Sequence, residues 1–442
     1  MALTGRTALL AALGSLAVGL LAPTWTGVAA VSGLLVLGVL ADLLLAAPVR
    51  TLLLTRSGDT SVRLGERAEV TLTVTHPANR GNRPLRAHLR DAWPPSAGAG
   101  GTAPTAPGAD RHRLTVPAGE RRRVTTVLHP TRRGDRTPRQ VTVRSHGPLG
   151  LAARQGSHRV PWTVRVLPPF TSRKHLPGKL ARLRELDGRT SLMIRGRGTE
   201  FDSLREYVPG DDTRSIDWRA SARRSEVAVR TWRPERDRHV LLVLDTGRTS
   251  AGRVGDAPRL DASLDAALLL AALASRAGDH VALLAHDRQV RASVEPRSVS
   301  GLLPALTDAM ARLEPRLVES DARALVAEVL RRSPRRSLIV LFTNLDAAPV
   351  EEGLLPLLPR LTRRHEVLVA AVADPRVEEM AAARGTLEAV YESAAAEQAR
   401  AERRRTADLL RRHGVTVIDA SPSDLPPALA DAYLSLKAAG RL

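Results

Sequence analysis

The residues best suited to chemistry in this chain lie between Gly196 and Asp245, where acids, arginines and large rings alternate. The 442 residues include only five tryptophans, three tyrosines and three phenylalanines, and four of these rings fall in this stretch. Charged groups packed among rings must be paired and hydrogen-bonded, because an isolated buried charge is costly. The stretch is therefore predicted to be a specified structure. Its candidate recognition residues are Gly198, Glu200, Phe201, Arg205, Tyr207, Gly210, Asp211, Asp212, Arg214, Asp217, Trp218 and Arg223.

Three interpretations of this stretch stay open. The acids and arginines form a salt-bridge lattice that props the rings, or they present a partner-binding face, or they carry acid–base catalysis. A Val-Pro-Gly sequence predicts a turn that presents Asp211 and Asp212 to a nearby arginine, Arg214 or Arg223. No substrate-pocket signal accompanies these acids or Asp217, which favours a structural or recognition role over catalysis.

A second group of polar residues follows the predicted strands of the C-terminal half. In open α/β sheets ligands bind beyond the carboxyl ends of the strands, and a row of acids there suits Mg²⁺ or Ca²⁺. Nucleotide binding would need a glycine-rich phosphate turn, and the sequence after the first strand has neither G-x-G-x-x-G nor a P-loop. The strand-end residues are Asp245, Asp287, Thr343, Asn344, Asp374 and Asp419.

The elements that would position these residues form an α/β domain. Continuous apolar strands alternate with helices after residue 239, which predicts a doubly wound, mainly parallel sheet covered on both faces. The predicted strands are 239–245, 280–287, 289–296, 336–346, 366–374 and 415–420, and the predicted helices are 260–277, 300–312 and 322–332.

Residues 52–167 have the pattern of a small β-sandwich. Apolar residues alternate at 68–76, 123–130, 139–147 and 160–168, and turn residues separate these runs. The Gly/Ala/Pro-rich run at 96–110 predicts a flexible loop. The histidines of this region lack metal-ligand spacing, so it is interpreted as a spacer or interaction module.

An apolar stretch at 7–47 contains one acid, Asp42, and no base. Pro23 divides it into two halves of nearly membrane-spanning length, which predicts a transmembrane helical hairpin. A cleaved signal peptide is the alternative, and the doubled length argues against it. Arg6 precedes the stretch while Arg50 and Arg56 follow it, so the positive-inside rule predicts a two-pass cell-membrane protein whose bulk is cytoplasmic.

Charge and cysteine content narrow the function classes. The chain has no cysteine, which excludes disulfides, cysteine-ligated zinc and thiol catalysis. The net charge of +20 suggests nucleic acid, but only three basic residues are lysine, which indicates a compositional bias toward arginine instead. Residues 50–169 carry 21 arginines against 7 acids, and this excess suits membrane lipids with anionic headgroups.

The stretch GTEFDSLREYVPGDDTRSIDWRASAR (198–223), followed by VLLVLDTGRTS, resembles the bacterial domain of unknown function 58 (DUF58) family. The run at 132–151 and the apolar N-terminus resemble the same family. The resemblance implies a membrane protein whose C-terminal half is like a von Willebrand factor A domain. It also implies a MoxR-type AAA+ ATPase as partner in the maturation or assembly of other proteins.

That family likeness implies a degenerate metal-ion-dependent adhesion site. Asp245 matches the first ligand of a D-x-S-x-S motif, Gly247 replaces the first serine, and Thr249 stands for the second. Asn344 takes the place of a later aspartate, and the threonine position falls on Ser320 or Asp321. A lost hydroxyl and a lost carboxylate weaken the case for Mg²⁺ or Ca²⁺. The alternative is that Asp245 and Thr249 cap a helix or hold the loop.

We therefore predict a membrane-anchored, non-enzymatic scaffold or adaptor with no certain cofactor. Its predicted parts are a hairpin (1–49), a basic β-sandwich (50–168), the motif segment (169–238) and a von Willebrand A-like domain (239–442). The first alternative is a metal-dependent envelope hydrolase that uses the strand-end acids. The second is an anionic lipid or nucleic-acid binder that uses the basic domain.

Overall fold

A computed structural model describes the chain apart from Met1, Ala22, Ser225 and the stretches 79–82, 100–109, 194–199, 209–212, 234–237 and 296–298. The chain divides into two compact units, Met1–Pro169 and Phe170–Leu442. Strands and helices both contribute, so the fold is mixed α/β.

Two apolar helices, α1 (Gly5–Leu21) and α2 (Trp25–Leu45), begin the first unit. The Thr24 hydroxyl starts α2 by accepting a hydrogen bond from the Gly27 N–H at 3.2 Å. With 21 residues, α2 is about 31 Å long at 1.5 Å per residue, and it is long and apolar enough to cross a membrane. The 17-residue α1 is apolar but shorter.

Asp42 ties the end of α2 to the β-structure of the first unit. Its buried carboxylate accepts hydrogen bonds from the backbone N–H groups of Leu149 at 2.8 Å, Leu151 at 2.6 Å and Ala152 at 2.8 Å. A Cβ atom at Gly147 would lie 2.1 Å from Asp42 Oδ1, so glycine makes this close approach possible. The acid inside the apolar stretch is therefore an anchor that joins helix to domain.

The rest of the first unit consists of short strands. They are β1 (Ala2–Leu3), β2 (Leu53–Gly58), β3 (Ser61–Arg63), β4 (Ala68–Thr75), β5 (Leu85–Ala92), β6 (Arg111–Val116), β7 (Arg121–Leu128), β8 (Gly134–Arg136), β9 (Gln140–His146), β10 (Ala152–His158) and β11 (Val164–Leu167). They form sheets with the orders β1-β10-β9-β5-β6, β2-β4-β7 and β3-β11-β8. Alternate side chains of β4 and β5, such as Leu72 and Leu89, meet in one core. The strand predicted at 160–168 shortens to β11, since Pro161 has no N–H to donate.

Arg56 has a different role from the one predicted. It forms an ion pair with Asp91 at 2.5 Å, and both side chains are only 1% exposed. Its guanidinium also lies 5.3 Å from the centroid of the Trp93 ring. This charge is therefore used inside the first unit, and Arg6 and Arg50 remain as the exposed arginines that flank the apolar stretch.

The second unit contains a β-hairpin and a larger sheet with its helices. Its elements are α3 (Leu176–Met193), β12 (Glu200–Glu206), α4 (Trp218–Arg224), β13 (Ala228–Arg233), β14 (His239–Asp245), α5 (Arg248–Ala251), β15 (Arg253–Val254), β16 (Ala257–Pro258), α6 (Arg259–Arg276), β17 (His280–His286), β18 (Val290–Val294), α7 (Val299–Ala311), α8 (Ala322–Arg332), β19 (Ser337–Phe342), α9 (Leu358–Thr362), β20 (Glu366–Val372), α10 (Pro375–Ala382), α11 (Leu387–Arg412), β21 (Thr416–Ala420) and α12 (Leu425–Ala438).

The larger sheet has the order β18-β17-β14-β19-β20-β21, and β18 is its antiparallel strand. Side chains of β14 alternate between two cores. Leu242 and Leu244 pack with α6 on one face, while Leu241 and Val243 pack with α8 on the other. The sheet is thus mainly parallel and covered by helices on both faces, as the apolar runs predict.

We predict that Asp42→Ala destabilises the first unit by about 3 kcal/mol, because it leaves three backbone N–H groups without their acceptor. Thermal unfolding of the full chain in detergent measures this effect. Gly147→Ala should lower the melting temperature as well, since its Cβ would collide with the carboxylate. Leu40→Ala, at an exposed position of α2, is the matched control, and an equal loss in that variant would contradict the anchoring role.

Candidate functional site

The motif segment folds into an antiparallel hairpin of β12 and β13, hereafter the motif hairpin. Between its strands lie a 3₁₀ turn at Thr213–Ser215 and the short helix α4. The backbone N–H of Tyr207 donates to the Val227 carbonyl at 2.8 Å, and that of Asp217 donates to the Ala228 carbonyl at 2.9 Å. These bonds bring the start of α4 against the paired ends of the two strands.

Asp217 organises this end of the motif hairpin. Its Oδ1 accepts from the backbone N–H groups of Arg219 and Ala220, both at 3.0 Å, and its Oδ2 accepts from Arg230 at 2.8 Å. Ser221 extends the network by donating to the Asp217 carbonyl at 2.7 Å. The Ala220 N–H and the Arg230 guanidinium lower the pKa of the Asp217 carboxyl. Asp217 therefore both caps α4 and fixes it to β13.

At least one aromatic ring of the motif segment is exposed to solvent. Trp218 is 69% exposed, and Val208 and Val227 beside the strand ends are 55% and 40% exposed. Tyr207 is half-buried. The ion pair of Asp217 with Arg230 fixes the backbone and leaves the Trp218 indole in solvent. The predicted salt-bridge lattice around the other rings stays a prediction, because several of its acidic side chains lie outside the described residues.

The remaining motif candidates divide into two groups. The side chains of Arg205, Arg214 and Arg223 are exposed. Outside the described residues lie Gly198, Gly210, Asp211 and Asp212 and the side chains of Glu200 and Phe201. The predicted contact of Asp211 and Asp212 with an arginine stays a prediction.

Asp245, the last residue of β14, is the centre of a second polar cluster. Its Oδ1 accepts from the Gly247 N–H at 2.8 Å and from the Ser320 hydroxyl. Its Oδ2 accepts from the hydroxyls of Thr249 and Thr343, both at 2.9 Å. Four donors from three chain segments thus converge on one buried carboxylate. We call Asp245, Thr249, Ser320 and Thr343 the Asp245 cluster.

The cluster lies where the sheet topology favours a ligand. Chain connections run outward from β14 to one side through β17 and β18, and to the other side from β19 through β20 and β21. Asp245 and Thr343 follow β14 and β19, the neighbouring strands at which this direction reverses. The crevice at such a switch point is the usual binding site of doubly wound sheets.

Ser320 occupies the space of a side chain that residue 247 lacks. A Cβ atom on Gly247 would lie 2.2 Å from Ser320 Oγ and 2.9 Å from the Val318 carbonyl oxygen. The loop before α8 therefore places a hydroxyl where a side chain of residue 247 would otherwise lie. Of the two candidates for the threonine position, Ser320 reaches Asp245, whereas Asp321 caps α8 through the Ala324 N–H.

Asn344 does not join the cluster. Its amide donates to Asp346 at 2.6 Å and accepts from Arg403 at 2.7 Å, while the preceding Thr343 turns to Asp245. The polar contact shifts by one residue because β19 ends at Phe342, whereas the apolar run predicted that the strand would continue to residue 346. Thr343 was among the predicted strand-end residues, but the family pattern assigned the ligand position to Asn344 instead.

Each of the other strand-end acids has its own hydrogen-bond or ion-pair partners. Asp287 accepts from the N–H groups of Arg288 and Gln289, Asp374 caps α10, and Asp419 pairs with Arg403 at 2.7 Å. Within the described residues, no three His, Asp or Glu side chains lie close enough to hold a metal ion. A row of acids around one cation is therefore not formed there.

A cavity of about 630 Å³ opens beside the Asp245 cluster. The cluster forms its polar end, and the apolar walls include Leu325, Leu341, Val350 and Leu354. Part of the wall is a π-helical turn at Pro349–Leu354, a local geometry that is frequent at functional sites. Charged side chains of Arg248, Glu319, Arg323 and Glu352 also line the cavity. A concave site that combines apolar walls with polar groups is the usual form of a binding site.

The cluster has the donor chemistry for a hard cation. A hydroxyl that donates its hydrogen to Asp245 keeps lone pairs that can coordinate Mg²⁺ or Ca²⁺. Thr249, Ser320 and Thr343 would hold such an ion through these oxygens, with Asp245 supplying the negative charge. A single carboxylate makes binding weak unless a partner adds oxygen ligands.

Comparisons with known proteins agree with the motif. Residues 203–413 match the family model of DUF58, a protein of unknown function. Uncharacterized protein Rv1480 of Mycobacterium tuberculosis is 28% identical over 42% of this chain and 58% of its own length. Uncharacterized protein YeaD of Bacillus subtilis is 26% identical over 36% of this chain and 38% of its own length. The chain thus spans little more than half the length of the mycobacterial relative and less than half the length of the Bacillus relative.

Among solved structures, the CARDB domain of a Pyrococcus furiosus protein covers 26% of this chain at 14% identity, with a TM-score of 0.17. A score this low supports no argument about fold. The predicted DUF58 resemblance is confirmed for residues 203–413.

We predict that Gly247→Ser destabilises the second unit by about 1–3 kcal/mol, because the new Cβ overpacks against Ser320 and Val318. Adding Ser320→Gly should recover part of that loss, and a double-mutant cycle of unfolding free energies measures the coupling. If the two effects simply add, Ser320 does not occupy the space beside residue 247.

Asp217 should make the motif hairpin sensitive to acid. Its folded-state pKa is lowered, so its stabilising contribution is present above the unfolded pKa of about 3.9 and is lost as the pH falls through the folded value. Asp217→Asn should remove this part of the pH dependence. Unfolding curves of both proteins between pH 2 and pH 7 test it, and parallel profiles would show that Asp217 contributes nothing.

Proposed function

We propose that this chain is a membrane-anchored, non-enzymatic adaptor that recognises other proteins through the motif hairpin. The observation that carries the proposal is the exposed indole of Trp218, the first residue of a helix whose backbone Asp217 caps and joins to β13. Contiguous exposed apolar patches mark interaction sites, and tryptophan is enriched among the residues that supply most of the binding energy of an interface.

The surface around Trp218 has the composition of a protein interface. Val208 and Val227 add exposed apolar area, and Arg205, Arg214 and Arg223 supply exposed polar groups in the same segment. Because Asp217 fixes the backbone before a partner arrives, little conformational entropy is lost on binding. An exposed aromatic side chain on a fixed backbone, with polar groups in the same segment, favours a role in recognition over a role in supporting the fold.

We propose that the Asp245 cluster is a second recognition site, in a domain like that of von Willebrand factor A. The switch-point position, the adjacent cavity with its apolar and charged walls, and the three hydroxyls support this proposal. Both oxygens of Asp245 already accept two hydrogen bonds each, so neither is free to take a proton from a substrate. This occupancy favours a binding site over the alternative of a metal-dependent hydrolase.

The proposed anchor is a two-pass hairpin of α1 and α2 with the bulk of the chain in the cytoplasm. A Cβ atom at Gly14 would lie 2.5 Å from Val31 Cγ1, so the two helices approach each other closely. Arg6 and Arg50 flank the hairpin on the side that the positive-inside rule assigns to the cytoplasm. The resemblance to DUF58 proteins supplies the proposed partner, a MoxR-type AAA+ ATPase engaged in the assembly or maturation of other proteins.

We expect Trp218→Ala to reduce recovery of the ATPase by about tenfold or more, as for loss of an interface anchor worth at least 1.4 kcal/mol. The tagged full-length chain is purified from gently solubilised native membranes with and without ATP and Mg²⁺, and mass spectrometry quantifies what co-purifies. Tyr391→Ala removes another exposed ring and is the matched control. Unchanged recovery with Trp218→Ala, or absence of any ATPase from the wild-type sample, would refute the proposal.

A further inference from the structure

Five exposed arginines share one face of the five-stranded sheet. Alternation along β5, β6 and β9 directs Leu, Val and Ala side chains into the core and the basic side chains to the opposite face. We call this set the arginine face. Its members are Arg86, Arg90, Arg111, Arg113 and Arg144.

Little negative charge offsets the arginine face. Asp110 pairs with Arg90 at 2.9 Å, but Arg111 stands directly opposite Arg90 on the neighbouring strand. Like charges in such a cross-strand pair repel each other, which destabilises the sheet unless an anion lies between them. A bound anionic group would relieve this repulsion.

At the centre of the arginine face, neutral side chains accept hydrogen bonds from two of the arginines. The Arg113 Nε donates to His88 Nε2 at 2.9 Å, and the Arg144 Nε donates to Gln155 Oε1 at 2.8 Å. Burial and the two neighbouring arginines lower the pKa of His88, so the imidazole adds no charge at neutral pH. These bonds orient the guanidinium groups without neutralising them.

The face begins beside the end of α2. Strand β9 leads into the turn whose N–H groups hold Asp42, and Ala87 of β5 lies opposite Ser145 near that end of β9. Arg86 therefore lies at the helix-proximal end of the face. Two further arginines mark the last turn of α2, since Arg83 donates to the Leu44 carbonyl at 3.1 Å and Arg154 to the Leu43 carbonyl at 2.7 Å.

We propose that the arginine face binds the anionic headgroups of phospholipids in the leaflet at which α2 ends. This rests on the proposed membrane anchorage by α2, which brings the face within reach of that leaflet. Guanidinium groups suit phosphate because their planar N–H donors bind it bidentately. Adjacency to an apolar, membrane-length helix favours lipid over nucleic acid as the source of the phosphate.

The test uses the full-length protein in a non-ionic detergent with equal amounts of phosphatidylglycerol and phosphatidylcholine, and native mass spectrometry counts the lipids retained. Wild-type protein should retain phosphatidylglycerol preferentially. The double variant Arg86→Ser/Arg144→Ser should lose at least about fivefold of that retention. The matched control Arg405→Ser/Arg412→Ser, which removes two exposed arginines of α11, should behave as wild type.

Three results would overturn the proposal: no preference for phosphatidylglycerol, an equal loss in the control variant, or displacement of the lipid by short RNA that then binds more tightly. If the double variant melts below wild type, Arg86→Ser alone decides the question. The side chain of Arg86 makes no hydrogen bond or ion pair to the described part of the chain, and the substitution leaves its backbone pairing in β5 in place, so it should not perturb the fold.

Alkaline extraction of native membranes separates this proposal from the anchorage on which it rests. Release of wild-type protein into the supernatant would refute the anchorage. Retention in the pellet together with no lipid preference would refute the arginine face alone.

Discussion

Buried carboxylates must be surrounded by hydrogen-bond donors, and this constraint joins distant parts of the chain. Asp42 collects three N–H groups from a turn more than 100 residues later. Asp245 collects hydroxyls from loops 75 and 98 residues later. Asp265 of α6 binds the backbone N–H and hydroxyl of Ser172, and so holds the segment that begins the second unit. An unsatisfied carboxylate in any of these places would cost several kcal/mol, so the surrounding loops have little freedom.

The same need for hydrogen-bond donors determines the electrostatic character of the Asp245 cluster. Every donor that satisfies the carboxylate is a backbone N–H or a neutral hydroxyl, so the negative charge is stabilised without being cancelled by a cation. Such a site can attract a cation or a positively charged partner group, and the adjacent cavity adds apolar contact area. Gly247 and Ser320 illustrate how closely the loops fit, since a side chain on one excludes the hydroxyl of the other.

The motif hairpin uses an acid for the opposite purpose. Asp217 pairs with Arg230 and caps α4 near the surface, and this leaves Trp218 in solvent. The arginine face is a third arrangement, in which charges are left almost uncompensated on an open sheet. Recognition of apolar, polar and anionic groups is thus proposed for separate surfaces, each with its own distribution of charge and exposed carbon.

The sequence by itself determined the secondary structure where apolar periodicity is strong. Strand β14 and helix α8 have the predicted bounds, because the continuous run HVLLVLD and the amphipathic run after Asp321 each fit one geometry. The DUF58 motif was also readable, since its long pattern of rare rings and charges is specific. The tertiary structure alone decided which polar atoms meet. It placed Thr343 rather than Asn344 at Asp245, it exposed Trp218, and it made Asp42 an anchor, because these outcomes depend on where loops far apart in sequence bring their donors.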